Sequence, residues 1–492
     1  MSLIKGGLSG LSAQIKDKLI QQSLERRLKQ AGLNESSQAH LSHTASTSMT
    51  PSTSAEHSMP RQGSAPGTTP STARDAQRNT AAGTRGSGTG VSEEFYRFDR
   101  MPGYKQIQII HSGAQRMGLV NPFFKQHDGL ASAHTQIAGQ DLINFSSYNY
   151  LNFSGDARIN AAAVAAINKY GTSVSASRLV SGERPIHREL EAAIAALYEA
   201  EDAIVFVSGH ATNVTTIGYL FGPRDLVVHD EFIHNSALEG IKLSGAKRFS
   251  FQHNDWQALD DLLTQHRSHY ERVLVVIEGI YSMDGDYPDL PKFVELRRRH
   301  QVFLMVDEAH SLGVMGARGH GIREHFGLQA GDVDLWMGTL SKSLAGCGGY
   351  IAGESALIEH LKFLAPGFLY SVGMSPPLAA ASLAALQCLA VEQPRVAALQ
   401  ERGKYFLQLA QAAGINTGTS TGLAVVPAII GSSIKATRLS SAMLAKGVNV
   451  QPILYPAVPE KSARLRFFMS CEHTEQEIKH TVAALAEEIK NL

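Results

Sequence analysis

Short apolar runs alternating with amphipathic stretches constrain this chain more than any other feature. The runs are DAIVFV (202–207), DLVVH (225–229), RVLVVIE (272–278), VFLMVDE (302–308), DLWMG (334–338) and GYIAG (349–353). Stretches such as WQALDDLLTQHRSHY and LPKFVELRRRH lie between them. A strand that is apolar on both faces has to be covered on both, and parallel strands joined by crossover helices achieve this. The pattern predicts an α/β large domain over residues 141–375 with a mostly parallel, doubly wound sheet. Pro376 and Pro377 interrupt it. Helical stretches (LAAASLAALQCLAVE, RVAALQERGKYFLQLAQAAG), short strands (AVVPAII, RLRFFMS) and a last helix follow, which predicts a smaller C-terminal α+β domain over 376–492. Residues 93–140 then form an N-terminal arm of the catalytic unit.

Residues 1–92 have a different texture. LSAQIKDKLIQQSLERRLKQAGL places Leu11, Ile15, Leu19, Leu24 and Leu28 at roughly helical spacing, with Gly32 suited to end the helix. An amphipathic helix is expected within residues 1–33, marginal alone and in want of a partner surface. Residues 34–92 are rich in Ser, Thr, Gly and Pro, a composition that buries too little apolar surface to order itself, and read as a tether. An organelle transit peptide is a poorer fit, because Asp17, Glu25 and Glu35 oppose it.

Lys and Arg together number 45, as do Asp and Glu, so no net field favours nucleic acid or an anionic membrane. No apolar run reaches the roughly eighteen residues of a membrane span, and the start lacks a secretory apolar region. Cys347, Cys388 and Cys471 form neither a disulfide framework nor a metal spacing. A cytoplasmic location is expected.

Open α/β sheets bind ligands beyond the carboxyl ends of their strands. Ser208-Gly209-His210 follow AIVFV, Glu278 and Ser282 follow VLVVI, Asp307 and His310 follow VFLMV, and Thr339, Ser341 and Lys342 follow LWM; His234 lies just past LVVHDEF. DEAH (307–310) resembles a helicase motif, but that use needs a phosphate loop of the form G-x-x-x-x-G-K-[ST], which the chain lacks. A metal held by Asp307, His310 and His234 has no diagnostic spacing, and none is expected. Pyridoxal 5'-phosphate (PLP) suits the set better: a lysine for its aldehyde, an acid for its pyridinium nitrogen and a helix start for its phosphate. The single lysine of VDLWMGTLSKSLAGCGGYIAG, crowded by small residues that allow close approach, is the natural anchor.

YNYLNFS, SGHATN, DEFIHNS, EGIYSMDGD, VDEAHSLGVMGARGHG, GTLSKSLAGCGGY and ARLRFFMS, in that order over about residues 95–490, resemble the α-oxoamine synthase family. This family, with the fold-type I PLP-dependent transferase architecture, includes 8-amino-7-oxononanoate synthase, serine palmitoyltransferase, 5-aminolevulinate synthase and glycine C-acetyltransferase. The resemblance is nearest to members associated with polyketide-type assembly lines. It implies a decarboxylative Claisen condensation of a small α-amino acid (glycine, alanine or serine) with an acyl thioester, carried by coenzyme A or an acyl carrier protein. The resemblance further implies a Schiff-base role for Lys342, which also moves the proton at the substrate Cα. Asp307 would meet the ring nitrogen, His310 and Ser282 the ring hydroxyl, and His234 the ring face. Ser208, Gly209, His210 and Thr339 would hold the phosphate, joined by Ser371 from a second subunit, because the family's site lies at a homodimer interface. Asn149 and Arg466 would hold the substrate carboxylate. Arg464 alternates with Arg466 along one strand, so only one of the two faces the site. His210 stands where many relatives carry an aromatic residue, and residues 1–92 have no counterpart in compact members; they suit docking of a carrier protein or synthase partner, and their composition suits a dispensable extension equally. The rival readings are an aminotransferase or other fold-type I PLP enzyme, and a non-catalytic partner subunit.

Overall fold

The computed structural model describes residues 91–492. The helix expected within 1–33 and the tether as far as residue 90 lie outside the described residues. Fourteen strands occur among the described residues. The first are β1 (His127–Asp128), β2 (His134–Ile137) and β3 (Gln140–Asn144). Seven form the large sheet: β4 (Asp202–Phe206), β5 (Leu226–Asp230), β6 (Lys247–Phe251), β7 (Val273–Glu278), β8 (Phe303–Asp307), β9 (Leu335–Thr339) and β10 (Gly349–Gly353). The last are β11 (Val425–Ile429), β12 (Val448–Asn449), β13 (Gln451–Ile453) and β14 (Arg464–Phe468).

The seven-stranded sheet runs in the order β4-β10-β9-β8-β7-β5-β6. Strands β5 to β9 pair in parallel, as their continuous apolar composition requires. Within β7, Val273, Val275 and Ile277 enter one core and Leu274 and Val276 the other, so both faces are covered. Strand β10 departs from the parallel pattern and pairs antiparallel with both β9 and β4. Only residues 340–348 separate β9 from β10, too few for a crossover helix, so the chain must return alongside.

Two smaller sheets lie outside this core. Strands β11, β14 and β13 form an antiparallel sheet in the order β11-β14-β13. The other sheet, β1-β2-β3-β12, joins the segment before the large sheet to a strand far downstream, with Ile143 opposite Val448 and Asn144 opposite Asn449. Among the described residues no helix is long and apolar enough to cross a membrane.

Candidate active site

The carboxyl ends of β7, β8 and β9 place Glu278, Asp307 and Thr339 along one edge of the sheet. Lys342 follows β9 in a turn that its neighbours hold in place: Leu340 and Leu344 are fully buried, and Ser343 Oγ donates to the Leu312 carbonyl at 2.8 Å. A methyl on Gly349 would stand 2.7 Å from Gly209 Cα, so the glycines allow the turn and a neighbouring helix start to touch. Lys342 Nζ lies 5.7 Å from the centre of the Tyr148 ring. Its surface is partly open, yet protein surrounds the ammonium; this burial lowers its pKa to about 8 against the opposing pull of Asp307.

Asp307 is buried and accepts from Asn213 Nδ2 at 3.0 Å and from the Ala309 N–H at 2.9 Å. Asn213 Nδ2 also donates to Ser236 Oγ at 2.9 Å, and that hydroxyl lies 2.8 Å from His234 Nδ1. His234 caps the helix Asn235–Ser244 and gives its N–H to Glu278 Oε1 at 2.7 Å, leaving the residue exposed at the sheet edge. His310 is buried, with Nδ1 2.7 Å from the Tyr150 hydroxyl and its ring parallel to Phe468. Burial, then the Lys342 and Arg466 charges, holds its pKa well below the usual histidine value, so the ring is neutral.

The helix Gly209–Leu220 begins at the same edge. Ser208 caps it by accepting from the Ala211 N–H at 3.0 Å, and Thr339 Oγ1 sits 3.0 Å from where a Gly209 Cβ would be. The first N–H groups of a helix have no partner within it, so Gly209 and His210 offer donors suited to a phosphate; the Thr339 hydroxyl beside them donates to the Gly348 carbonyl at 3.0 Å. Any side chain on Gly209 would crowd it. Ser282 is buried beside this edge, and its carbonyl accepts from Arg466 Nη1 at 3.1 Å.

Of the alternating arginines, Arg464 is buried against Asp284 at 2.6 Å and the Met283 carbonyl at 2.8 Å. Arg466 is the one near Lys342. Its Nη1 is tied to Ser282 O and, at 3.3 Å, to Met283 Sδ. Its Nε has no partner, and its Nη2 has only the Tyr148 hydroxyl at 3.5 Å. Nε and Nη2 form the edge by which Arg272 grips Asp225 elsewhere in this chain, at 3.1 and 2.7 Å. Among the described residues that edge of Arg466 meets no carboxylate, and its Nε is buried without a partner.

Two expected residues are not brought to this cluster. Asn149 is 6% exposed, and its amide is engaged in its own loop, donating to Ala131 O at 2.7 Å and accepting from the Ser154 N–H at 3.1 Å. The residue that reaches Arg466 and Lys342 is the preceding one, Tyr148. The segment is a turn, with the Tyr150 N–H donating to the Tyr148 carbonyl at 2.9 Å, and both tyrosine rings flank His310, so no strand periodicity in the sequence signals Tyr148. Ser371 follows the short helix Pro366–Leu369 and donates to the adjacent Val372 carbonyl, not to a residue of the cluster.

The sequence profile of the aminotransferase class I and II family matches residues 140–485. An 8-amino-7-oxononanoate synthase of Symbiobacterium thermophilum is 38% identical over 375 residues, covering 76% of this chain and 95% of the relative. A structure of serine palmitoyltransferase from S. paucimobilis, with a bound PLP–myriocin aldimine, superposes with a TM-score of 0.76 at 27% identity, covering 79% of this chain and 99% of the other. The chain belongs to the α-oxoamine synthases, within the aminotransferase class I and II family. An 8-amino-7-oxononanoate synthase from Francisella tularensis is a further structural neighbour, with TM-score 0.63, 26% identity, and coverage of 71% and 98% of the two chains.

As an α-oxoamine synthase the chain is a PLP-dependent enzyme with the fold-type I transferase architecture, and the residues present fit that cofactor. Lys342 offers an amine, Asp307 a buried carboxylate for the ring nitrogen, and the Gly209 helix start with Thr339 a space that a Cβ would fill. When bound, PLP supplies an electron sink for charge left at the substrate Cα.

Proposed function

We propose that this α-oxoamine synthase condenses a small α-amino acid with an acyl thioester. The Cα–H bond gives up its proton, and the Cα–carbonyl bond then forms as the C–S bond breaks and the thiol leaves. The carboxyl group departs as carbon dioxide, a proton returns to Cα, and an α-aminoketone is released. The buried Arg466 Nε that lacks a partner among the described residues, with Nη2 held only by Tyr148 on the side of the cluster that Tyr148 shares with Lys342, is the observation that carries this reading. A guanidinium edge with two parallel N–H groups recognises a carboxylate bidentately, so the substrate enters carboxylate first.

Each residue then has a task. Arg466 and Tyr148 bind and orient the carboxylate. Lys342, with a pKa of about 8, moves the proton at Cα near neutral pH. Asp307 would stand opposite the ring nitrogen, and Asn213 holds its side chain in place. His234 covers the ring face, fixed by Ser236 and Glu278. His310 and Ser282 serve the ring hydroxyl. Ser208, Gly209, His210 and Thr339 serve the phosphate, with Ser371 reaching it across a homodimer interface. Residues 1–92 dock an acyl carrier protein that presents the thioester.

Product analysis tests the reaction class. Purified enzyme given glycine, alanine or serine with an acyl thioester should release carbon dioxide and free thiol in equal amounts. Formation of a 2-oxo acid without thiol would assign an aminotransferase instead. Deleting residues 1–92 should slow turnover of carrier-bound acyl groups while leaving coenzyme A thioesters unaffected; equal rates with both donors would remove the docking role.

A further inference from the structure

The loop that holds Arg466 is itself held by a histidine the reaction does not use. His253 follows β6, and its side chain is only 13% exposed. Its Nδ1 lies 2.9 Å from Asp230 Oδ1, at the end of β5, and its Nε2 lies 3.0 Å from Asp286 Oδ2. The ring stacks on Phe232 at 4.5 Å and meets Tyr281 edge-on at the same separation. Two buried carboxylates bracketing one imidazole need a cation between them. Burial works against the charge, but the bonds to both aspartates outweigh it and raise the pKa to about 10. His253 is therefore an imidazolium at neutral pH.

Asp286 closes the 281–286 loop through its carbonyl, which accepts from the Tyr281 N–H at 2.9 Å, and the Gly285 N–H returns to Tyr281 O at 2.8 Å. This loop is the seam between the large sheet and the β11-β14-β13 sheet. Thr419 Oγ1 donates to Asp286 Oδ2 at 2.5 Å, the Thr421 N–H to Gly285 O at 3.1 Å, and Arg464 to Asp284. The same loop presents Ser282 O and Met283 Sδ to Arg466 Nη1. Fixing Nη1 decides where the opposite edge of the guanidinium, with its unpartnered Nε, points.

We infer that His253 is a positioning residue: pinned between Asp230 and Asp286, it fixes the 281–286 loop and so aims Arg466 at the substrate carboxylate. This rests on the assignment of Arg466 to that carboxylate. A neutral residue at 253 leaves two carboxylates without their shared cation. The loop then shifts and the arginine edge with it, while the Lys342, Asp307 and Gly209 groups stay in place.

The test compares an amino acid with the amine that lacks its carboxylate, alanine against ethylamine, each titrated into holoenzyme by the change in cofactor absorbance. Both reach Lys342, but only alanine engages Arg466. In His253→Gln, alanine should bind about ten- to a hundred-fold more weakly, a loss typical of misplaced positioning groups, and ethylamine within about twofold of wild type. Asp286→Asn, a milder cut of the same pair, should show the same selectivity in smaller measure, and serves alone if His253→Gln does not fold. Arg466→Ala should show it in full. If Arg466→Ala weakens both ligands equally, its own assignment fails. If Arg466→Ala is selective but the folded His253 and Asp286 variants weaken both ligands equally, or neither, the positioning role is overturned.

Discussion

Glu278 and Asp307 stand opposite each other in register at the carboxyl ends of the parallel strands β7 and β8, so both carboxyl groups project to the same side of the sheet. Two such groups do not both ionise readily. Burial, and then the charge of Asp307, pushes the Glu278 pKa well above the usual carboxylate range. Glu278 is thus the neutral partner that fixes His234, while the Asp307 side chain accepts from Asn213 and the Ala309 N–H.

The titration of Lys342 follows from that arrangement. Its pKa lies at about 8 instead of 10.5, with burial lowering it and Asp307 opposing the drop. The rate at which apoenzyme combines with PLP should rise with pH through a midpoint near 8. Asp307→Asn should move the midpoint lower, because the ammonium loses its nearest support. A midpoint at the ordinary lysine value would contradict the buried position of the amine.

Adjacent residues 148 and 149 should respond to substitution in opposite ways. Tyr148→Phe removes a hydroxyl 3.5 Å from Arg466 Nη2, so the amino-acid KM should rise a few-fold with the melting temperature unchanged. Asn149→Ala leaves the Ala131 carbonyl and the Ser154 N–H without their partner in a buried loop. That costs about 1–3 kcal/mol of stability and lowers the melting temperature. The reverse pattern would restore Asn149 as the carboxylate ligand.

Glu308 makes stability depend on pH. It is fully buried, and burial raises its pKa from 4.5 to about 7. Between those values the native chain keeps a proton that the unfolded chain releases, so this residue's contribution falls as pH rises through the window and stays low above it. The loss is on the order of 3 kcal/mol by pH 8. Glu308→Gln keeps an acceptor for the Ile322 N–H and has no proton to lose. Melting curves at pH 5 and pH 8 should therefore show the variant gaining on wild type at the higher pH; parallel shifts would exclude ionisation of Glu308.

The large sheet was legible because strands buried on both faces are written as continuous apolar runs, and most of the site because its polar residues sit directly at the ends of those runs. Alternation along ARLRF puts Arg464 and Arg466 in different surroundings, the first against Asp284 and the second against Ser282 O and Met283 Sδ. What escaped depends on pairings that composition does not encode. Strand β10 looks like its parallel neighbours, and only the short link from β9 makes it antiparallel. Asn149 has the right chemistry for a carboxylate, but the direction of its side chain is decided by the Ala131 carbonyl, far from it in sequence. The joining of β3 to β12 and the bracket of Asp230 and Asp286 around His253 are likewise long-range contacts among residues that read singly as ordinary.

The most direct measurement is peptide mass spectrometry of the enzyme after PLP loading and borohydride reduction. The account predicts one stable cofactor adduct, on Lys342, with both the adduct and the cofactor absorbance abolished in Lys342→Ala. An adduct on another lysine, or absorbance retained in Lys342→Ala, would contradict it.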